Sequence, residues 1–293
     1  MHAAAPDTAG PEAAAALDDG AYVDPVPTID WGAVDHACWW IPPAALSLAT
    51  VPAFEMQPLA VRRRVSHLEY LHLVQTGLLL EAFFVERLAI LAERTRDPGA
   101  RSACLREIRE EAGHSLMFVE LLRRSYGDAA PPGTGARFAR SLARSLDPES
   151  ALFWAMTMIG EELPARLTRA VEAGPEEVTM SRVVVAMARV HGADEAGHAA
   201  FARERCAAAT ARLPAWRRTA LSAVLALWIA AFERYLFYPP ATLYARAGLV
   251  PGTAWRARAL ANPVRRAVAA RLTAESVAFL REIGWTLGGP RQK

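Results

Sequence analysis

From Leu68 to Leu91 the chain is mostly apolar, and its polar positions do not alternate with the apolar ones. Such a run is too long for a strand. It predicts a long helix, from about Pro58 to Arg94, buried on most sides. Asp97-Pro98-Gly99 reads as a turn. A second helix is expected over about Ala100 to Tyr126, with Gly127 as its stop. The loop Pro131-Pro132-Gly133-Thr134-Gly135 leads into a short basic helix, roughly Arg137 to Ser145. Asp147 and Pro148 supply an N-cap and a first helical residue. The third helix then runs to about Ala173, where Gly174-Pro175 ends it. A fourth starts near Pro175-Glu176-Glu177 and reaches about Arg212. A fifth covers about Pro214 to Phe237 and is closed by Pro239-Pro240, and shorter helices fill 241 to 287. No segment has the period of two that marks a half-buried strand. Residues 1–27 are rich in Ala, Pro, Asp and Gly and read as a flexible arm. Residues 28–57, with Trp31, Trp39, Trp40 and several prolines, predict an irregular segment that packs its aromatics on the core. Gly288 to Lys293 is expected to fray.

The pattern gives an all-α fold. With 293 residues and 53% hydrophobic content, residues 28–293 suffice for one large helical domain, with the bundle proper at about 58–212. A net charge of +2, from 33 basic and 31 acidic residues, gives no reason to expect nucleic acid or an anionic membrane as a partner. Cys38, Cys104 and Cys206 are odd in number and lack C-x-x-C spacing, which argues against a disulfide framework or a zinc site. The first residues lack the features of a secretory signal, so a cytoplasmic location is expected. The apolar run near Ala220 to Phe232 reads as a buried helix, too short to span a bilayer.

Two of the predicted helices carry the same four letters. Glu111-Ala112-Gly113-His114 and Glu195-Ala196-Gly197-His198 each place a glutamate and a histidine three residues apart, on one helix face. Each such helix follows one that holds a lone buried-type glutamate. Two E-x-x-H pairs plus two lone glutamates form the ligand set of a di-iron or di-manganese carboxylate bundle. His191, four residues before Glu195, joins the second stripe as a third histidine. Both copies also put glycine in a helix interior at a cost of about 1 kcal/mol, as if something bulky needed room beside the backbone. In the first helix Glu81 and Glu86 compete for the lone position; Glu81, among Gly77, Leu78, Phe84 and Val85, is the more central. In the third helix Glu161 and Glu162 compete. Glu162 has Arg166 at i+4 as a surface partner, which favours Glu161. The candidate metal ligands are Glu81, Glu111, His114, Glu161, His191, Glu195 and His198. Glu110 and Asp194, one residue before each pair, are candidates to accept the outer N–H of the histidines from the opposite helix pair. His67, Glu69 and His72 read as ordinary polar positions.

These residues resemble the ferritin-like di-iron oxygenases, and among them the p-aminobenzoate N-oxygenase family of aureothin and chloramphenicol biosynthesis. The likeness rests on Glu81, Glu111-x-x-His114, Gly160-Glu161, His191-x-x-x-Glu195-x-x-His198 and the entry Ser66-His67-Leu68-Glu69, and covers roughly 58–205. It implies a ferritin-like four-helix bundle with additional C-terminal helices, two Fe ions, O2 as co-substrate and an external electron donor such as a reductase. The implied reaction takes an amine to hydroxylamine, nitroso and nitro products in secondary-metabolite biosynthesis. No flavin or NAD motif is visible to supply the electrons.

The residues one and two turns from the lone glutamates, Tyr70, Val74, Gly77, Trp154, Thr157, Met158 and Ala165, include no arginine to meet a free carboxylate. A hydrophobic or carrier-protein-tethered amine is therefore as consistent with the chain as a free aminobenzoate. A homodimer through outer apolar faces is the default assembly. Three other readings use the same residues: a di-iron C–H hydroxylase or desaturase, a non-enzymatic ferritin-like iron-binding protein, and a scaffold whose glutamates are buried salt bridges to arginine.

Overall fold

The computed structural model describes residues 22–125, 144–172 and 178–288. The expected stop at Gly127, the break at Gly174-Pro175 and the basic helix apart from Arg144 and Ser145 lie outside them. Among the described residues the fold is all-α, with eight helices of six residues or more. They are α1 (Leu59–Arg94), α2 (Pro98–Arg124), α3 (Ala151–Glu172), α4 (Arg182–Ala211), α5 (Ala215–Phe237), α6 (Ala241–Arg246), α7 (Gly252–Ala261) and α8 (Pro263–Glu282). No strand accompanies them; one isolated bridge joins Trp39 to Met180.

The short connections fold α1 back on α2 and α3 back on α4, and these two pairs face each other. α1, 36 residues long, spans about 54 Å and passes through two separate apolar cores. Its first half, Val65 to Val74, packs with Trp39, Trp40, Met117, Leu121, Val184 and Met187. Its second half, Phe83 to Ala92, packs with α3, α5 and α8 through Phe153, Ile159, Phe232 and Leu280. Glu81 falls between the two, where apolar packing gives way to polar groups.

Helix starts follow capping chemistry more than periodicity. Asp97 accepts from the backbone N–H groups of Gly99 and Ala100, so α2 begins at Pro98. Asp147 does not cap α3. It accepts from Glu149 N–H in a preceding turn and pairs with Arg94. Ser150 takes over, its hydroxyl accepting from Phe153 N–H. α4 starts at Arg182, later than expected near Pro175. Residues 179–181 are held extended by Trp39, with Trp39 N–H donating to the Thr179 carbonyl at 3.0 Å and Ser181 N–H to the Trp39 carbonyl at 2.8 Å.

Three further expectations need correction. Within the expected flexible arm, Pro25–Thr28 forms a helical turn, which packs on α2. Glu69, His67 and His72 are buried, and Glu69 accepts from the Ser47 backbone N–H and hydroxyl. Ser47 also meets Tyr244, and Asn262 and Arg265 bind the carbonyls of Ser47, Ala49 and Ala45. This polar cluster ties the N-terminal segment to the last helices. α5 is buried on one stripe only, Ser222, Leu225, Ile229, Phe232 and Leu236. Its other face exposes Val224 and Leu227, and Ala215–Arg246 is long and apolar enough to cross a membrane by length and composition. Of the end expected to fray, residues 289–293 lie outside the described residues; up to it the chain is packed through Trp285 and Leu287, with Arg281 donating to the Gly288 carbonyl.

Candidate metal centre

Helical spacing sets the geometry. On α2 and α4 the i, i+3 pairs point between the two hairpins, and α1 and α3 each add one glutamate from the side. Glu81, Glu111, His114, Glu161, His191, Glu195 and His198 are all at most 7% exposed. Four carboxyl groups buried this deeply require a compensating cation or protons. Among the described residues no arginine pairs with any of the seven, which removes the salt-bridge scaffold. Their neighbours are each other. His114 Nδ1 lies 3.5 Å from Glu111 Oε2, and His198 Nδ1 lies 3.3 Å from Glu111 Oε1. His191 Nε2 lies 3.0 Å from Glu195 Oε1 and 3.7 Å from Glu81 Oε1.

The competitors are placed elsewhere. Glu86 is partly exposed and pairs with Arg87 and Arg144. Glu162 pairs with Arg166 and Arg203 and accepts from Ser276. It is buried at 4% exposure, so this is an interior ion pair and not the surface pair expected from spacing.

Protons stand in for positive charge in this arrangement. Burial and the adjacent Glu111 carboxylate push the Glu81 carboxyl well above the usual range, and a hydrogen bond joins the two. Burial and neighbouring carboxylates do the same to Glu161, which is bonded to Glu195. Burial raises Glu195 to about 7. For Glu111 burial acts upward too, but its bond with Glu81 and the charges of His198 and His114 outweigh it and hold the carboxyl low. Burial lowers the two E-x-x-H imidazoles, yet their carboxylate partners prevail and raise His114 to about 9 and His198 to about 10.

These residues fit a pair of metal ions. Glu81 Oε2, Glu111 Oε2, and the Nδ1 atoms of His114, His191 and His198 are buried without a hydrogen-bond partner. Native interiors rarely leave so many polar atoms unsatisfied in one place. Trios that could hold an ion are Glu81–His114–His191, Glu111–His114–His198, Glu161–Glu195–His198 and, on the outer side of His198, Glu107–Glu110–His198. Mixed carboxylate and imidazole donors suit borderline divalent metals.

The outer shell has the expected crossed pattern. His114 Nε2 lies 3.0 Å from Asp194 Oδ2 and His198 Nε2 lies 3.1 Å from Glu110 Oε2. Each carboxylate sits on the helix opposite its histidine. Such links fix the ring orientation and leave Nδ1 facing inward.

Beside the donors lies a cavity of about 40 Å³, room for about three water molecules. Leu73, Leu80, Phe84, Phe118 and Leu236 wall it, and Glu81, Glu161, His191 and Glu195 close its inner end. Tyr70 and Thr168 add hydroxyl-bearing side chains; among the described residues no arginine lines it.

The sequence model of the P-aminobenzoate N-oxygenase AurF family matches residues 13–284. The chain belongs to this family. Neither a curated protein nor a solved structure matches it. Membership in the N-oxygenase family agrees with the all-α architecture and with the clustered glutamates and histidines. The match extends well beyond the 58–205 likeness read from motifs, into both the N-terminal segment and α8.

One residue at this site, Glu107, escaped the sequence reading. Glu107, one turn before Glu111, is buried at 5% exposure and lies 3.6 Å from His198 Nε2. Its signal was present, because it precedes Glu111 by the same four residues that separate His191 from Glu195. Thr157, one turn before Glu161, is buried with no partner for its hydroxyl. The paired glycines also differ. A Cβ at Gly113 would stand 2.5 Å from the Tyr22 hydroxyl, whereas Gly197 has nothing within 4 Å. The need for room therefore holds for the first copy alone.

Proposed function

We propose that the chain is a di-iron N-oxygenase acting on an amine with an apolar body. The observation that carries this reading is the inward-facing set of unpartnered carboxylate and imidazole atoms at the end of an apolar cavity. Two iron ions held by Glu81, Glu111, His114, Glu161, His191, Glu195 and His198 would supply O2 activation, drawing on an external electron donor.

The chain's own residues do the rest. Asp194 and Glu110 orient His114 and His198 and keep their outer N–H groups occupied. Leu80, Phe84, Phe118 and Leu236 exclude water from the cavity. The polar inner end, at Glu81, Glu161, His191 and Glu195, is where a substrate nitrogen is accommodated, with its apolar part against the phenylalanines. A substrate carboxylate would meet no cation there, which favours a neutral or carrier-tethered amine over free p-aminobenzoate. An aryl ring exceeds the present cavity, so Phe84 or Phe118 must turn aside to admit it.

The test is iron loading followed by product mass spectrometry with a panel of neutral arylamines, esters and free aminobenzoates. The expected result is a mass gain at nitrogen for the neutral amines. Hydroxylation at carbon would move the reaction to the hydroxylase reading. Efficient turnover of free p-aminobenzoate would overturn the substrate assignment.

A further inference from the structure

The two helix pairs match each other residue by residue. Glu81 on α1 corresponds to Glu161 on α3. Glu110, Glu111 and His114 on α2 correspond to Asp194, Glu195 and His198 on α4. The crossed bonds from His114 to Asp194 and from His198 to Glu110 obey the same correspondence. So does a second, smaller cavity. The apolar cavity is bordered by Glu81, the residue one turn before it (Gly77), Glu195 and His191. Its mate is bordered by Glu161, the residue one turn before it (Thr157), Glu111 and Glu107. The second cavity measures about 10 Å³. His191 in the first and Glu107 in the second each precede their E-x-x-H glutamate by four residues; His191 groups with Glu81 and His114, and Glu107 with Glu110 and His198.

We propose that Glu107 is an eighth metal donor, serving the second ion as His191 serves the first. This rests on the di-metal reading above. Each ion then has one lone glutamate, one E-x-x-H histidine and one donor four residues before the E-x-x-H glutamate, with Glu111 and Glu195 available to both. Two observations support it. Glu107 is buried at 5% exposure, and among the described residues its one ion-pair partner is His198, whose Nε2, the nitrogen that also faces Glu110, lies 3.6 Å away. A carboxylate is seldom buried so deeply without a cation. Second, the unpartnered Thr157 hydroxyl, itself 6% exposed, lines the same small cavity as Glu107, Glu111 and Glu161, where these polar groups stand against a wall of Phe84, Phe153, Trp154 and Phe201. The His191/Glu107 difference gives one ion a second imidazole and the other a further carboxylate, which makes the two ions chemically unequal.

The test uses the purified full chain, stripped of metal and titrated anaerobically with Co(II) alone. Visible absorption reports coordination, since loss of a ligand intensifies the d–d bands. Wild type is expected to bind two equivalents. Glu107→Gln keeps the size and an acceptor oxygen but removes the charge. It is expected to weaken the second equivalent at least tenfold and strengthen its absorption, with the first unchanged. Glu107→His, which makes both helices read H-x-x-x-E-x-x-H, should restore the second equivalent with a shifted spectrum. Circular dichroism checks that both variants fold; if Glu107→Gln does not, the spectrum of Glu107→His decides alone. Two equivalents with wild-type affinity and spectrum in the variants would overturn the assignment of Glu107 and leave the di-metal reading standing. Failure of wild type to bind two would overturn that reading itself.

Discussion

Asp194 shows how much one side chain outside the inner set controls. Its carboxylate holds His114 by Nε2 at 3.0 Å, which turns the unpartnered Nδ1 inward. Asp194→Ala frees the ring to rotate and leaves a buried N–H without an acceptor. The expected loss is about 10- to 100-fold in metal affinity, read by competition with a chromogenic chelator. Glu86→Ala, which removes only a partner of Arg87 and Arg144, is the control and should bind metal as wild type does. The inner donors were legible in the sequence because a solvated helix face has no reason to repeat E-x-x-H at the same register in two helices. The choice between Glu81 and Glu86 followed from the apolar neighbours of Glu81. Glu107 was not found because a glutamate beside Arg106 and Glu110 reads as one more surface charge; only the comparison with His191 distinguishes it.

At the level of elements, the N-terminal segment is part of the site's cover. Tyr22 lies over Gly113 with Arg109 stacked on its ring at 4.5 Å, and Pro25 fills the space beside it. Gly113→Ala should lift this segment from α2. Gly197→Ala meets open space and should stabilise α4 by up to about 1 kcal/mol. Thermal melting compares the two, with the expected signs opposite, and limited proteolysis between Tyr22 and Thr28 should accelerate in Gly113→Ala only. Composition suggested a loose arm here, because Ala, Pro, Asp and Gly carry no periodicity to set against the surface they cover. The starts of α3 and α4 were misplaced for a related reason. Asp147-Pro148 has the chemistry of a helix start, but Ser150 does the capping, and Trp39, far earlier in the chain, holds residues 179–181 extended. Glu69 was misread likewise, since Ser47, which bonds it, and Tyr244 and Arg265, which complete the cluster, are remote in sequence. Local pattern carries no record of such contacts.

The whole molecule should report its metal state through pH. In the metal-free protein His114 and His198 hold protons up to about 9 and about 10, well above an ordinary histidine near 6.5. The folded state therefore binds more protons than the unfolded state across this window. Stability from these groups is complete below pH 6.5 and is lost as pH rises toward 9 and 10, by at most about 1.4 kcal/mol per histidine per pH unit. Glu81 and Glu161, whose folded values are also raised, act in the same direction. With metal bound those protons are displaced, and affinity increases with pH. Melting midpoints should thus fall from pH 6.5 to 9 in chelator and hold or rise with metal. Parallel curves would mean that the histidines are not where metal binds. The crossed histidine–carboxylate bonds have a last consequence. The Asp194 and Glu110 side chains are 41% and 27% exposed, and neither lines the apolar cavity. Under the di-iron reading proposed above, an electron arriving through either bond would cross one carboxylate and one imidazole without passing through the cavity. Reduction and occupancy of the cavity would then not compete for one route.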